Sequence, residues 1–402
     1  MSLNDTPSGE RVHIGIFGRR NAGKSSLLNA ITGQSLAVVS ETAGTTTDPV
    51  KKSMEILPIG PVLLIDTPGI DDTGELGEKR VEKTRATLRG TDIAVLVVDA
   101  RDGKNGDDGE LLRLFAKNGV PCVVAHNKCD LIGCRSPLPE NEMYVSATTG
   151  ENVPSLKEKI ARAVRADDEK LRIVADLLSP ADFVVLVAPI DKAAPKGRLI
   201  LPQQQTIRDI LEADAAAVVV KEYELRETLE NLGKRPRMVI TDSQVFAKVS
   251  ADTPPDIPLT SFSILMARRK GSLDAAVLGA RSLDGVSDGD KILIAEGCTH
   301  HRQCDDIGTV KLPRWIRQFT GKKPNFAFAS GTEFPADLSS YKLVIHCGAC
   351  MLNEREVKYR HREAAAQGVP ITNFGILIAH MQGILKRSIS MFPHLTAEPD
   401  DL

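Results

Sequence analysis

The residues with the clearest chemistry lie in a glycine-rich segment near the start of the chain. Residues 18–25 read Gly-Arg-Arg-Asn-Ala-Gly-Lys-Ser, with two glycines bracketing four residues before a lysine and a serine. This is the pattern of a phosphate-binding loop, whose backbone N–H groups wrap phosphates at a helix N-terminus. It predicts that Lys24 reaches the outer phosphates and that the Ser25 hydroxyl binds Mg²⁺. The predicted nucleotide contacts in this loop are Gly18, Asn21, Ala22, Gly23, Lys24, Ser25 and Ser26.

Four further motifs follow the loop in an order that indicates a site for guanine rather than adenine nucleotides. They are Thr45-Thr46, Asp66-Thr67-Pro68-Gly69, Asn127-Lys128-Cys129-Asp130 and Ser146-Ala147-Thr148. A carboxylate at Asp130 can accept from both the N1–H and the exocyclic amine of guanine, a donor pair that adenine lacks. Leaving that carboxylate unpaired discriminates strongly against the wrong base. We therefore predict GTP and GDP as ligands, with Asn127 and Lys128 beside the base. Ser146 and Ala147 are predicted to close over it.

The same motifs predict which residues act on the phosphates. One threonine of the pair Thr45-Thr46 can bind Mg²⁺, and we favour Thr46. Asp66 can bind Mg²⁺ through water, and the Gly69 N–H can contact the γ-phosphate. Together with Lys24, these residues form the predicted catalytic set for hydrolysis of GTP to GDP and phosphate.

A second group of chemically capable residues lies in the C-terminal third of the chain. Cys347 and Cys350 form a C-x-x-C turn after a predicted strand, a spacing that lets two thiolates reach one metal or cluster. Cys298 would supply a third thiolate. The candidates for a fourth ligand are Asp305, Cys304, His300 and His346.

Spacing alone does not decide what these thiolates bind. Soft sulfur ligands suit both zinc and iron–sulfur clusters. Three thiolates with a weaker fourth ligand would leave one iron exchangeable, which suits a cluster that receives or passes on a group. Zinc, or an empty set of reduced thiols, remains open. Cys122, Cys129 and Cys134 are assigned no ligand role, because they lie in an apolar strand, at a variable motif position and in a loop.

Composition and charge limit the classes of function that the sequence predicts. The chain has 402 residues, a net charge of -2 and 42% hydrophobic residues, which is typical of a globular protein of two to four domains. The chain has no overall excess of basic residues, so nucleic acid is not a predicted partner. No apolar run is long enough to predict a membrane span. Seven cysteines without a leader-like start predict a cytoplasmic protein with reduced thiols.

The hydrophobic pattern predicts the elements that position these motifs. Continuous apolar strands alternate with helical stretches, which predicts an α/β fold with three α/β domains. The first, residues 1–168, is predicted to be a P-loop GTPase fold with a mostly parallel sheet. The others cover residues 169–258 and 259–402, with the proline-rich residues 253–258 as the linker. Single helices are predicted over about 260–280, 354–367 and 375–387.

The chain resembles the HydF family of GTPases, which mature [FeFe]-hydrogenase. The resemblance rests on the N-terminal segment 11–27 and on the C-x-H and H-C-x-x-C elements. It extends to the tail segment Asn373-Phe374-Gly375-Ile376-Leu377-Ile378 and covers essentially the whole chain. The family's cluster motif falls on Cys298, His300, His346, Cys347 and Cys350.

This resemblance implies a GTPase domain, a middle dimerisation domain and an iron–sulfur cluster-binding domain. It implies a [4Fe–4S] cluster on three cysteines with a variable fourth ligand, and a homodimer or higher oligomer. The implied role is a scaffold and carrier for the di-iron precursor of the hydrogenase active site. Its implied partners are two radical-SAM maturases and the apo-[FeFe]-hydrogenase that receives the precursor.

Two other functions stay open at this point. One is an RNA- or ribosome-associated GTPase like TrmE or Era, with zinc as a structural clip. The near-neutral charge disfavours this function, because RNA binding normally needs a basic surface. The other is a regulatory GTPase with a redox-sensing thiol pair and no cluster.

A potassium dependence is the first testable prediction. Ile70 occupies the position where Ras-like enzymes carry a water-orienting glutamine, so intrinsic hydrolysis is expected to be slow without further help. Asn21 and the threonine-rich switch segment resemble the GTPases related to TrmE and Era, in several of which an asparagine here helps to hold K⁺. We therefore expect faster GTP turnover in KCl than in NaCl; equal rates would remove this role for Asn21.

Overall fold

The fold is described from a computed structural model. It describes residues 6–33, 50–67, 84–165, 172–190, 199–297, 306–331 and 333–396. The chain divides into two units, Met1–Glu169 and Lys170–Leu402. Within the described residues the strands form three separate sheets, the first in the N-terminal unit and the other two in the C-terminal unit.

The first sheet is mixed, with six strands in the order β2-β3-β1-β4-β5-β6. Its strands are β1 (Val12–Phe17), β2 (Val50–Ile56), β3 (Gly60–Asp66), β4 (Ile93–Asp99), β5 (Cys122–Asn127) and β6 (Glu142–Tyr144). Only β2 runs antiparallel, against β3. The central strand β4 is buried along its whole length and apolar up to its last residue, Asp99, because both faces of the sheet are covered, as expected for parallel strands.

Helices cover both faces of this sheet. They are α1 (Lys24–Thr32), α2 (Gly106–Lys117) and α3 (Val153–Arg165). The core on one face includes Leu28 of α1 and Leu156 of α3, and the core on the other includes Phe115 of α2. A capping box between Asn105 and Asp108 fixes the start of α2, since each residue accepts from the other's backbone N–H at 3.1 Å.

The second sheet has four parallel strands in the order β10-β9-β7-β8. They are β7 (Phe183–Val187), β8 (Ala216–Val220), β9 (Met238–Thr241) and β10 (Leu259–Ser261). The crossovers contain α4 (Leu201–Glu212), α5 (Leu225–Asn231) and α6 (Phe246–Asp252). β10 follows the proline-rich residues 253–258 directly, so those residues connect two elements of one sheet. The three-domain division at 168 and 258 remains a proposal.

The third sheet is also parallel, in the order β12-β11-β13-β14. Its strands are β11 (Lys291–Glu296), β12 (Asn325–Ser330), β13 (Leu343–His346) and β14 (Ile371–Asn373). The helices around it are α7 (Phe262–Arg269), α8 (Leu273–Arg281), α9 (Leu312–Thr320), α10 (Glu354–Ala366), α11 (Phe374–Met381), α12 (Leu385–Ser388) and α13 (Pro393–Thr396). The parallel arrangement brings the carboxyl ends of β11 and β13 to one edge of the sheet.

The second and third sheets share one hydrophobic core. It contains Val185 and Ile240 of the second sheet, Ile294 of the third, and Leu265 and Ile376 of the helices between them. All five side chains are buried. The two sheets therefore stabilise each other through common apolar burial, the dominant favourable contribution to folding.

The structure corrects two of the predicted helices. The helix expected over 260–280 is β10 followed by α7 and α8, which are separated at Gly271, where φ is +66°. The helix expected over 375–387 is broken between α11 and α12 at Gly383, where φ is +71°. A glycine in the left-handed region ends a helix at little cost. The helix expected over 354–367 is α10.

None of the helices in the described ranges is long and apolar enough to cross a lipid bilayer.

One arginine ties the C-terminal helices to the proline-rich segment of the second sheet. Arg387 of α12 donates from Nη2 to the carbonyls of Thr253 and Pro254, at 2.9 and 2.8 Å. From Nη1 it donates to the Ser250 carbonyl at 3.1 Å. These carbonyls lie at the end of α6 and in the connection to β10, so the guanidinium satisfies acceptors where regular helix bonding stops.

We therefore predict that Arg387→Met lowers the free energy of unfolding by about 2–3 kcal/mol, the scale of hydrogen bonds from a charged group. Urea unfolding can be followed by the fluorescence of Trp315, the only tryptophan, which packs against the shared core. Arg208→Met is the matched control, because Arg208 pairs with exposed Glu212 in the i,i+4 position and should change stability by less than about 1 kcal/mol. Equal effects would contradict the assigned role of Arg387.

Candidate nucleotide site and cysteine centre

The glycine-rich loop joins the end of β1 to the start of α1. Lys24 is buried, and its ammonium group donates to the carbonyls of Gly18 and Arg19 at 3.0 and 2.7 Å. The lysine therefore folds back over the loop and lies where phosphate oxygens would replace the two carbonyls. Asn21 takes a left-handed conformation, with φ of +59°, and its side chain is exposed.

Gly23 shows why the loop needs glycine. Its φ is +90°, and a Cβ at this position would lie 2.2 Å from Nδ2 of Asn127. Any side chain would therefore push away the first residue of the guanine motif. The close approach lets Asn127 Nδ2 donate to the carbonyl of Ala22 at 3.0 Å.

Asn127 also holds the fourth predicted motif. Its Oδ1 accepts from the backbone N–H of Ala147 at 3.0 Å, so one side-chain amide joins the phosphate loop to the segment that closes over the base. Ser146 is buried, and its hydroxyl accepts from the Thr149 N–H at 3.1 Å. Asp130 is exposed, as a carboxylate that must meet an incoming base requires.

Lys128 adds a second link between the guanine motif and the phosphate loop. Its ammonium group donates to the Asn21 carbonyl at 2.6 Å and to the Asp99 carboxylate at 2.7 Å. Arg101 contacts both oxygens of Asp99, at 3.0 and 2.7 Å. The Arg101 guanidinium, with help from Lys128, holds the pKa of Asp99 well below its usual range. Asp99 therefore stays ionised and fixes Lys128.

The expected Mg²⁺ ligands Ser25 and Asp66 meet at the end of β3. The Ser25 hydroxyl donates to Asp66 Oδ2 at 2.6 Å. The other oxygen, Oδ1, is buried and accepts no hydrogen bond within the described part of the chain. Burial raises the pKa of Asp66, against the opposing effects of Ser25 and Lys24. A buried carboxylate oxygen that lacks a partner fits a hard cation such as Mg²⁺.

Sequence reasoning missed a tether between the phosphate loop and the start of α2. Arg19 donates from Nη2 to the Gly103 carbonyl at 2.9 Å, and its Nε lies 3.2 Å from Asp108 Oδ2. Asp108 is fully buried. The motif pattern contains no signal for this pair, because position 19 is variable in the phosphate-loop pattern. For Asp99 the sequence does contain a signal, because it is a lone acidic residue at the end of an apolar strand.

Several predicted site residues lie outside the described residues. They are Thr45, Thr46, Gly69, Cys298, His300, Cys304 and Asp305. Their predicted roles stay predictions. Among the described residues no group of three or more metal-binding side chains occurs.

The C-x-x-C turn follows β13 and lies against the end of β11. Cys347 Sγ accepts from the backbone N–H groups of Gly297 and Ala349, at 3.0 and 3.3 Å. Ala349 supplies its N–H from a left-handed conformation, with φ of +53°. Burial raises the pKa of the Cys347 thiol, and the two N–H groups oppose this effect. These N–H groups point at the sulfur, an arrangement suited to a thiolate that bears negative charge.

His346 is held by the protein through both ring nitrogens. Nδ1 donates to the Cys347 carbonyl at 2.8 Å, and Nε2 accepts from Arg360 Nη1 at 2.8 Å. Burial, together with the charge of Arg360, lowers the pKa of His346 to about 3, so the ring is neutral. Arg360 is itself buried and bonded to Glu356 at 2.9 Å. Among the candidates for the fourth ligand, His346 therefore has both ring nitrogens hydrogen-bonded to other protein groups in this conformation.

Comparisons with known proteins find relatives of this chain. Residues 13–128 match the family of 50S ribosome-binding GTPases. The chain is 35% identical over 160 residues to the tRNA modification GTPase MnmE of Laribacter hongkongensis, and 37% identical over 158 residues to that of Legionella pneumophila. Each match covers 39% of this chain and 35% of the relative, so the chain spans about a third of the length of these relatives.

Solved structures of GTP-binding proteins also match parts of the chain. A probable GTP-binding protein, engB, is 25% identical with a TM-score of 0.32, covering 38% of this chain and 99% of that one. A variant of Aquifex aeolicus Era bound to GDP.AlF4- is 22% identical with a TM-score of 0.35, covering 55% of this chain and 98% of that one.

The first sheet and its motifs define the N-terminal unit as a P-loop GTPase domain of the 50S ribosome-binding GTPase family. Residues 173–271 match the hydrogen maturase F dimerization domain, and residues 274–391 match the hydrogen maturase F tetramerization domain. These two matches together cover more than half of the chain, which therefore belongs to the hydrogen maturase F family. Homo-oligomerisation through the two named domains follows from this membership.

The contact between Gly23 and Asn127 yields a prediction. Gly23→Ala should weaken binding of a fluorescent GDP analogue by roughly 100-fold, or about 2.8 kcal/mol, because the added methyl group displaces Asn127. Gly33→Ala is the matched control, since Gly33 also has positive φ, at +67°, but an added methyl group there would meet nothing within 4 Å. Both variants carry the cost of left-handed backbone, about 1–2 kcal/mol. Equal binding losses would show that strain alone, and not Asn127, is responsible.

Proposed function

We propose that this protein hydrolyses GTP and serves as scaffold and carrier for the di-iron subcluster of the [FeFe]-hydrogenase active site. In this proposal it binds a [4Fe–4S] cluster through Cys298, Cys347 and Cys350. It receives the precursor from radical-SAM maturases and delivers it to apo-[FeFe]-hydrogenase. Membership of the hydrogen maturase F family supports the proposal.

One contact carries the cluster part of the proposal. The Gly297 N–H lies 3.0 Å from Cys347 Sγ, so the end of β11 meets the C-x-x-C turn. Cys298 is the next residue after Gly297, and consecutive Cα atoms are about 3.8 Å apart. Because Cys298 follows Gly297 directly in the sequence, we propose that it supplies the third thiolate beside Cys347, although the two cysteines are far apart in sequence.

The residues at this edge fit a thiolate-bound cluster. Cys347 receives two backbone N–H groups, and hydrogen bonds to sulfur are one way in which proteins set the reduction potential of iron–sulfur clusters. A bound cluster would supply an iron with an exchangeable position. Because His346 bonds to Arg360 and to the Cys347 carbonyl, we propose that it orients the turn. The remaining candidates for the fourth ligand are Asp305, Cys304 and His300.

The GTPase part of the proposal rests on the polar links around the phosphate loop. Lys24 would move from the Gly18 and Arg19 carbonyls to the β- and γ-phosphates, and the Gly69 N–H would contact the γ-phosphate. Ser25, Asp66 and Thr46 would hold Mg²⁺, which neutralises charge that develops on the phosphates. Asp130 would read guanine while Asn127 keeps the base segment attached to the loop.

We further propose that GTP acts as a switch for a partner surface. The γ-phosphate orders switch loops in proteins of this class, and hydrolysis releases them. This release would change what the GTPase domain presents to a partner, without chemistry at the cluster. Rates of cluster transfer that are the same with GTP, GDP and no nucleotide would contradict this coupling.

An RNA-associated GTPase with a zinc clip is the alternative function. The named tRNA modification GTPases match only 39% of the chain. Residues 173–271 and 274–391 instead match domains of hydrogen maturase F. No observation in the described residues favours RNA as the ligand over the maturation role.

The cluster proposal predicts iron loss on removal of either thiol of the turn. Anaerobic reconstitution of the full chain with iron and sulfide should yield about one [4Fe–4S] cluster per chain, with an EPR signal after reduction. Cys347→Ser and Cys350→Ser should each lose most of the iron and of that signal. Cys134→Ser is the control, because Cys134 is exposed and distant from these residues in sequence.

Metal analysis separates the outcomes. Zinc at one equivalent without iron would favour the structural-clip alternative, and wild-type protein that binds neither metal would contradict the cluster site. In both cases GTP binding should persist, because the nucleotide site belongs to a different unit of the chain.

A further inference from the structure

A buried lysine lies against the C-x-x-C turn. Lys270 follows the last residue of α7, and only 4% of its surface is exposed. Its ammonium group donates to the backbone carbonyl of Ala349 and, at 2.6 Å, to that of Leu352. These two residues lie on either side of Cys350 in the chain, so the lysine binds the turn both before and after this cysteine.

The surroundings of this contact are apolar. Ala349, Leu352 and Val357 form a small buried hydrophobic cluster against the turn. Lysine is almost never fully buried without compensation, because removing an ammonium group from water is costly. The low local dielectric also makes the lysine charge act more strongly on nearby groups than it would in water.

The ammonium group of Lys270 lies beside the segment that carries Cys350, because it bonds to backbone carbonyls before and after that residue. The two carbonyls satisfy donors of the ammonium group but carry no net charge. A metal group bound to the thiolates would place negative charge there. The positive ammonium group would stabilise that charge, whereas the neutral carbonyls would not.

We propose that Lys270 is a positioning and charge-compensating residue of the cysteine site. It fixes the turn that carries Cys350, and its positive charge stabilises the more negative, one-electron-reduced state of a cluster held there. The electron comes from the reductant used in the titration, and no bond forms or breaks. This inference rests on the cluster site proposed above and assigns that site a cation from outside the cysteine motif.

Two substitutions separate charge from hydrogen bonding. Lys270→Gln keeps an N–H donor for the carbonyls but removes the charge, whereas Lys270→Met removes both. The matched control is Lys358→Met. Lys358 is a lysine of α10 that pairs with Glu354 at 2.5 Å and is 57% exposed, so its charge is screened by water.

The first measurement is the reduction potential of the reconstituted cluster, followed by EPR. We expect Lys270→Gln and Lys270→Met to shift it to more negative values by about 59 mV, which is a tenfold change in a one-electron equilibrium. Lys358→Met should leave the potential unchanged. A merely structural lysine would not produce a shift in Lys270→Gln, because that variant keeps the donor to the turn.

The second measurement needs no cluster. Co²⁺ titrated into the reduced, metal-free protein can be followed by its thiolate charge-transfer absorption. Loss of the supporting cation should weaken this binding about 10- to 100-fold in both Lys270 variants, the usual effect of removing an outer partner of a metal site. Folding of each variant is checked by Trp315 fluorescence.

The outcomes distinguish this inference from the proposed function. If wild-type protein takes up neither iron nor Co²⁺, the cluster site itself is wrong. If wild-type protein binds both and the Lys270 variants match Lys358→Met in potential and affinity, the role of Lys270 is overturned. Should Lys270→Met fail to fold, Lys270→Gln decides the question, and a normal potential in that variant refutes the charge effect.

Discussion

Parallel strands end at a common edge of their sheet, and this constraint places both candidate sites. In the first sheet it brings together the phosphate loop after β1, Asp66 of β3 and Asn127 of β5. In the third sheet it brings Gly297, after β11, to Cys347, after β13. Functional side chains far apart in sequence thus become neighbours without long loops to position them. Ligand sites at the carboxyl ends of parallel strands are a general property of open α/β sheets.

The sequence predicted the first unit well because its motifs carry strong local signals. The central strands are mostly apolar, and glycines at fixed spacing require the turns that the structure contains. The antiparallel strand β2 escaped prediction, since its exposed and half-buried residues alternate in a polar pattern. The short strands β10 and β14 also escaped, because three residues give no usable periodicity and each merges with the helix that follows.

The sequence predicts candidate ligands for both sites but not the residues that support them. Motif spacing points to lysine, serine and cysteine residues as the groups expected to touch a nucleotide or metal. The residues that hold them, such as Asp99, Arg19, Arg360 and Lys270, lie elsewhere in the sequence and follow no spacing rule. Their roles depend on tertiary contacts between elements, which single-sequence patterns do not encode. His346 illustrates the limit: its motif suggests a ligand, whereas in the structure its ring nitrogens bond to the Cys347 carbonyl and to Arg360.

The shared core of the second and third sheets has a consequence for how this protein assembles. The two oligomerisation segments match separate sequence families, yet their buried side chains form one hydrophobic core. A protomer cannot loosen one contact surface by unfolding its domain without exposing the apolar face of the other. Fragments that carry a single segment would expose part of this core and tend to aggregate, so truncation studies of assembly should keep the whole unit Lys170–Leu402 intact.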